Sequence, residues 1–358
     1  MKKIGILTFH KAINYGAILQ TFALQEKFKE QSELTDVIDY RSEYFRNLYG
    51  VQKNFSTSNK MKFVLLLIIK NFFFYIKKLK FNRFAKKNLN LTMKYNRNNI
   101  EKLNSMYDYI ITGSDQVFNL KLTNEDYTYY LDFCDSNRRC SYAASFGNYD
   151  LSLLGDNDIK LLKSFRYLSL REIDAVTFMK KKYNIIAECS LDPTLLYTGV
   201  EWQKKLQLKQ SNQNTIFYYK VAEPNKLNFY VTKIAKEKKL SVIEITSDLK
   251  NQIKGSKTLR TCSPKNFISN IYNCEYVATT SFHATVFGIL FHKKMIIELY
   301  DKSGKFNNRI YCLLSLLNID VVKTKGVQII DNVNWNSVER KLAAERKKSI
   351  DFILKILN

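Results

Sequence analysis

The chain is poor in the residues that interrupt regular structure, with 3 prolines and 11 glycines among 358 residues. That scarcity argues against a linker-rich chain and against an all-β fold built on many tight turns. Cysteine is sparse too. The 6 thiols, at 134, 140, 189, 262, 274 and 312, form no C-x-x-C pair and no zinc spacing. A chain of this length needs no disulfide staples, so they read as reduced thiols of a cytoplasmic protein. No G-x-x-x-x-G-K-[ST] loop, G-x-G-x-x-G fingerprint, G-x-S-x-G elbow or H-x-x-x-H helix is present. P-loop hydrolysis, hydride transfer and zinc catalysis thereby lose most of their support.

Acid is missing from one long stretch. From Tyr44 to Ile100 there is no Asp or Glu, while Lys and Arg recur, and the centre reads KMKFVLLLIIKNFFFYIKKLKFNRFAKK. Its apolar run, Phe63 to Ile76, is broken by Lys70 and Asn71. At about 14 residues it falls short of the roughly 20 that span a bilayer. Two readings of residues 60–90 stay open: an apolar side packed on protein with the lysines in water, or a helix lying on an anionic membrane surface. The whole chain shares the bias, with 57 Lys and Arg against 33 Asp and Glu and a formal net charge of +24. Nucleic acid, an anionic membrane or a phosphorylated substrate would each suit such a charge. With no recognition motif present and the densest basic stretch interleaved with aliphatic runs, nucleic acid is not expected as a partner.

What is abundant is apolar and aromatic side chain, 46% and 14% of residues. That is the composition of a folded protein, and the length suits two domains of about 150 to 200 residues. The run Ile4 to Phe9 is shorter than the apolar region of a secretory signal and no small-residue cleavage site follows, so it reads as a first buried strand. Strand-like and helix-like stretches then alternate. Lys3–Phe9, Asp36–Tyr40, Tyr107–Thr112, Arg139–Ser145 and Tyr167–Leu170 read as strands, with helices over Ala17–Glu30 and Leu151–Lys163. A second series begins near Asn214, with strands TIFYYKV, LSVIEIT, Glu275–Thr280 and Lys294–Leu299 and a helix over Asn225–Lys238. Ser263 and Pro264 have the form of a helix start, Val286–Phe291 reads as the beginning of another helix, and Ser337–Leu357 is helical.

Polar residues repeatedly follow the strands, and open α/β sheets bind ligands at the carboxyl ends of their strands. Asn14, Ser114, Asp115, Ser145 and Arg171 are therefore expected on one rim. His283, in TTSFHATVFGILFHKK, follows a strand and precedes a helix. An imidazole there can carry a proton, or it can be a packed residue beside an apolar run; His292 reads as a turn residue. Arg171 follows the apolar YLSL, where a guanidinium can hold a carboxylate or phosphate, or pair with Glu172 or Asp174. Asp115, in GSDQ, offers either a base for a hydroxyl or an Asx-turn.

Taken in order, TFHKAINYGAILQTFALQ, ITGSDQVFN, YAASFG, LSLRE, LDPTLL, SPKNFI and VATTSFHATVFGILFHKKMI resemble the polysaccharide pyruvyl transferase family, from about Thr8 to Leu317. The resemblance implies an α/β fold of two Rossmann-like domains facing a cleft, in the glycosyltransferase-B-like manner. The expected boundaries are 1–205 for the first domain, with a basic apolar helical insertion at about 44–100, and 206–334 for the second. Residues 335–358 would form a helix packing back on the first.

Family members move a pyruvyl group from phosphoenolpyruvate to two sugar hydroxyls, leaving a cyclic ketal and phosphate. No cofactor is implied, phosphoenolpyruvate being the donor substrate. By the family's motifs His283 is the proton donor or phosphate ligand and Arg171 the donor clamp. Some branches carry an arginine where this chain has Ser281, so Arg309 or Lys220 would supply the second donor cation. Asp115 takes a catalytic role, and Asn14, Tyr15, Gly16, Ser114 and Gln116 acceptor or cleft roles. A polyprenyl-diphosphate-linked saccharide of a capsule or exopolysaccharide would explain the basic apolar segment and bring the protein to the inner face of the cell membrane, and a galactose-type residue taking a 4,6-ketal is the expected acceptor. A nucleotide-sugar glycosyltransferase of the same architecture and an inactive scaffold are the competing readings.

Overall fold

The computed structural model describes residues 2–32, 34–44, 60–211, 213–250, 252–322 and 326–358, with backbone alone over 60–65. Of the expected insertion at about 44–100, residues 45–59 lie outside the described residues. The chain divides into two compact units: Met1–Tyr49, Ala85–Tyr197 and Glu339–Asn358 form one, Gly50–Phe84 and Thr198–Val338 the other.

The first unit is built on parallel strands β1 (Lys3–Leu7), β2 (Leu34–Tyr40), β3 (Leu91–Tyr95), β4 (Tyr109–Thr112) and β5 (Arg139–Ser141), in the order β3-β2-β1-β4-β5. β1 and β4 lie inside the sheet with both faces covered, which is why IGIL and YIIT are buried throughout and apolar up to Thr112. Bridges from Cys140 to Tyr167 and from Ala144 to Leu170 carry the sheet on to β6 (Ser169–Leu170), which pairs with β7 (Glu188–Cys189). The crossover from β1 to β2 is the helix Tyr15–Lys29. Asn14 starts it by accepting the N–H groups of Gly16 at 2.8 Å and Ala17 at 3.2 Å. The last helix, Trp335–Leu357, contributes Phe352, Ile353 and Ile356 to a core shared with Ile4, Ile111 and Tyr142.

The second unit repeats the plan. Strands β8 (Thr215–Tyr219), β9 (Ser241–Ile245), β10 (Lys257–Thr258), β11 (Tyr276–Thr279), β12 (Lys294–Glu298) and β13 (Val327–Ile330) run in the order β10-β9-β8-β11-β12-β13. β13 is antiparallel to β12 and the other pairings are parallel. Both units are thus Rossmann-like α/β sheets. In each the strand order reverses beside the first strand, between β1 and β4 and between β8 and β11, where the carboxyl ends open a crevice.

Ser263 caps the helix Pro264–Asn273 with Pro264 at its first position, as the sequence indicates. Two helices differ from the sequence reading. Leu151–Lys163 is a single 3-10 turn, Leu151–Leu153, followed by a helix, Asp156–Lys163, which restarts at Gly155 because Asp158 accepts the Gly155 N–H at 2.8 Å. The helix expected from Val286 begins instead at Phe282, capped by Ser281. His283 therefore lies in its first turn and not in the loop before it.

Candidate active site

At the carboxyl edge of the first unit, β4 leads into Gly113-Ser114-Asp115-Gln116. Asp115 has φ +83° and Ala143, past the end of β5, has φ +46°. A non-glycine residue in this region is strained by about 1–3 kcal/mol, and such strain tends to gather at functional edges. The Asp115 carboxylate accepts the Gln116 N–H at 2.9 Å, the local turn that the sequence left open. Gln116 lies over Gly147, whose φ is +61°, and a Cβ added there would stand 2.0 Å from Gln116 Oε1.

Arg171 enters this edge from the end of β6. Its Nη2 is 2.8 Å from Asp192 Oδ2, with the two side chains 4% and 0% exposed, and it also donates to Ser114 Oγ. Asp192 in turn accepts the Thr194 N–H at 2.9 Å and its hydroxyl at 2.5 Å. The sequence allowed Arg171 an ion pair with Glu172 or Asp174; the structure gives it Asp192, a carboxylate beyond β7 that the sequence reading did not name. Serine hydroxyls carry the polar seam onward: Ser169 Oγ donates to Ser190 Oγ at 2.6 Å, Ser141 Oγ to the Ser169 carbonyl at 2.9 Å, and Ser145 Oγ to Glu172 at 2.5 Å.

Of the residues assigned to the first loop, Asn14 is exposed and its Oδ1 caps the helix, while Tyr15 and Gly16 are buried. Sequence reasoning passed over His10 and Asp39, which are 3.0 Å apart at the ends of β1 and β2. Burial pushes the His10 imidazole below its ordinary value against the pull of Asp39. For Asp39 burial alone would raise the carboxyl, yet hydrogen bonds from His10 and Arg41 hold it well below the usual carboxylate range. The signal for His10 was the same as for His283, a histidine in the polar loop after a buried strand.

In the second unit the groups gather around Thr280. Its hydroxyl accepts the N–H groups of Val221 at 3.1 Å and Ala222 at 3.3 Å, tying the loop after β8 to the end of β11. Asn307 Nδ2 donates to the Thr280 carbonyl at 3.2 Å, bringing in the segment before the helix Asn308–Leu316. Arg309, in that helix, stands over the Phe282 ring at 5.6 Å. Lys220, with a side chain 9% exposed, is 2.5 Å from Glu223 and 4.0 Å from Asp248. His283 is buried, its ring edge-on to Phe282 at 5.1 Å. Ser281, Lys220, His283 and Arg309 are therefore held on neighbouring segments at the crevice between β8 and β11.

The two helix starts at this crevice differ. Glu298 closes that of Leu227–Glu237, its carboxylate accepting the N–H groups of Asn225, Lys226 and Leu227 at 2.9 to 3.1 Å. An anion at that position is thus supplied by the chain itself. The start of Phe282–Leu290 carries a serine cap, a histidine and a neighbouring arginine. Helix N-termini favour anions such as phosphate or carboxylate.

A model of a known family, described as polysaccharide pyruvyl transferase, matches residues 14–302. Solved structures with similar folds include the UDP-GlcNAc 2-epimerase of Neisseria meningitidis bound to UDP-GlcNAc, at 10% identity over 99% of this chain and 100% of that one, with a TM-score of 0.47. The UDP-GlcNAc 2-epimerase of Methanocaldococcus jannaschii covers 96% of this chain and 98% of its own, at 10% identity and a TM-score of 0.44. The ADP-heptose lps heptosyltransferase II of E. coli covers 97% and 99%, at 10% identity and a TM-score of 0.38. No curated protein sequence matches.

Proposed function

This chain belongs to the polysaccharide pyruvyl transferase family, and we propose that it moves the pyruvyl group of phosphoenolpyruvate onto two hydroxyls of a saccharide. What carries the reading is the family match itself, which spans residues 14–302 and so includes both Arg171 and His283. The donor is a small multiply charged anion, and the first turn of the helix Phe282–Leu290, flanked by Lys220 and Arg309, offers the cationic, dipole-favoured ground such an anion needs.

The chemistry needs an acid, an anion holder and acceptors for two hydroxyl protons. A proton added to C3 of the enol phosphate turns the methylene into a methyl and leaves C2 electron-poor. The first sugar oxygen bonds to C2 and sheds its proton. Phosphate then departs with the electrons of the C2–O bond, and the second hydroxyl closes the ketal ring as its proton leaves. We assign His283 as proton donor to C3, Arg171 as donor clamp oriented by Asp192, and Lys220, Ser281 and Arg309 as further donor contacts. Asp115 is assigned as hydroxyl-proton acceptor, with Ser114 and Gln116 beside it. Asn14, Tyr15 and Gly16 shape the first loop.

The acceptor in this reading is a polyprenyl-diphosphate-linked saccharide with a galactose-type residue, ketalised at its 4- and 6-hydroxyls, on the way to a capsular or exopolysaccharide. The protein would work at the cytoplasmic face of the membrane.

The test is phosphate release from phosphoenolpyruvate with a panel of galactosides, soluble and lipid-linked, and mass measurement of the product. Wild-type protein is expected to release phosphate only with acceptor, whereas His283→Ala and Arg171→Lys lose the activity and keep the fold. Lysine at 171 keeps a charge beside Asp192 and loses the planar fork. Thermal protection by a sugar nucleotide and none by phosphoenolpyruvate would move the protein to glycosyl transfer, since a ligand of the folded state raises its melting temperature. Protection by neither, with no turnover, would make it a scaffold.

A further inference from the structure

We propose that the outward face of the helix Lys60–Asn88 docks the protein on an anionic lipid surface. The inference rests on the reading above only in that a lipid-linked acceptor gives the contact a purpose. Its physical basis is independent. Ile68, Phe72, Tyr75 and Leu79 are 59%, 60%, 59% and 48% exposed. Their spacing of four, three and four residues places them on one side of a helix. The opposite side is already occupied, because Lys77, Phe81 and Phe84 are buried. One side of this helix is seated in protein and the other presents large apolar side chains to water, where a solvated helix would carry charge.

The next turns of the same outward stripe bring Arg83 and Lys86, both exposed, with Lys87 beside them. No Asp or Glu occurs between Tyr44 and Ile100 to answer that charge. An apolar stripe ending in cations is the pattern of a helix that lies in the interface of an anionic bilayer, its rings at the level of the headgroups. Spanning is a different matter: among the described residues no helix is long and apolar enough to cross a membrane. A second copy of the chain is disfavoured as occupant, since its facing helix would bring no Asp or Glu to Arg83 and Lys86. Single-stranded nucleic acid would use the cations and the two aromatic rings, but it gives Ile68 and Leu79 no partner.

The test is flotation of the full chain with vesicles. Wild-type protein is expected to float with vesicles of phosphatidylglycerol and phosphatidylcholine and to remain below with phosphatidylcholine alone. Ile68→Glu with Phe72→Glu is expected to weaken binding by roughly tenfold or more, and Arg83→Gln with Lys86→Gln to remove its dependence on the anionic lipid. Should the glutamate pair fail to fold, Phe72→Ser with Leu79→Ser replaces it. Phosphate release with a water-soluble galactoside should be unchanged in these variants, so loss of docking and failure of the enzymatic reading are separate results. Equal flotation of wild type and variants, no flotation on anionic vesicles, a dimer split by Phe72→Glu, or tight binding of single-stranded RNA that the Arg83 and Lys86 changes abolish would each overturn the proposal.

Discussion

The Arg171 guanidinium and the Asp192 carboxylate form an ion pair 2.8 Å long from which water is almost wholly excluded. Removing one member leaves the other charge buried, which typically destabilises by about 3–5 kcal/mol, whereas replacing both with apolar residues is far milder. Asp192→Ala is therefore expected to lower urea stability by several kcal/mol, and Arg171→Met with Asp192→Leu to recover most of it. A single variant within experimental error of wild type would show that the pair contributes orientation and no stability.

Gly147 and Gln116 are coupled by shape. Gly147→Ala introduces a side chain at φ +61° and drives its Cβ against Gln116 Oε1. The displaced amide also loses the hydrogen bond from Asn119 Nδ2, now 3.3 Å long. We expect a loss of roughly 1–2 kcal/mol, mostly backbone strain, together with a marked fall in phosphate release. Adding Gln116→Ala relieves the clash and leaves the backbone strain, so a double-mutant cycle read by urea unfolding separates the two.

Thr280→Val removes a hydroxyl of nearly unchanged size from the crevice of the second unit. The N–H groups of Val221 and Ala222 lose their acceptor, at about 1–3 kcal/mol if they stay dry. The expected kinetic result is a higher KM for phosphoenolpyruvate with kcat less affected, because the loop bearing Lys220 loosens while His283 stays in its helix. Steady-state kinetics on the two constants decides it.

Lys77 should impose an alkaline signature on stability. Burial brings its ammonium down to about 8, while an unfolded lysine titrates near roughly 10.4. Below pH 8 both states hold the proton and the folded state carries the burden of burying it. Between the two values only the unfolded state holds it, so stability rises with pH through that window and levels off above it. The contribution is up to about 3 kcal/mol. Lys77→Met is expected to be more stable near neutral pH and to lack this rise, as urea unfolding of both proteins across the window will show.

Much of this was legible in the sequence wherever a pattern is local. The strand cores of β1, β4 and β11 are apolar because both faces are covered, and the cap at Ser263 and Pro264 is chemistry within one turn. His292, read as a turn residue, has φ +53°. The onset at Phe282 was missed because a helix buried all round shows no amphipathic edge, so its first apolar residues look like loop. Asp192, Thr280 and Asp39 were passed over for another reason. Each acts through a partner distant in the chain, and a buried polar pair leaves no spacing signature. For residues 60–90 the reading of an apolar side packed on protein with the lysines in water holds in part: Phe81 and Phe84 are buried, but so is Lys77, and Ile68, Phe72, Tyr75 and Leu79 are exposed.

The serine hydroxyls of the first unit have a mechanical consequence. β6 and β7 are two residues long, and a slip of one residue would turn Arg171 to the opposite face. Ser141, Ser169 and Ser190 act as pegs between adjacent strands, and they are uncharged. The register that presents Arg171 to Asp192 is thus pinned by backbone bonds and alcohols together, and neither added salt nor mild acid reaches that pinning.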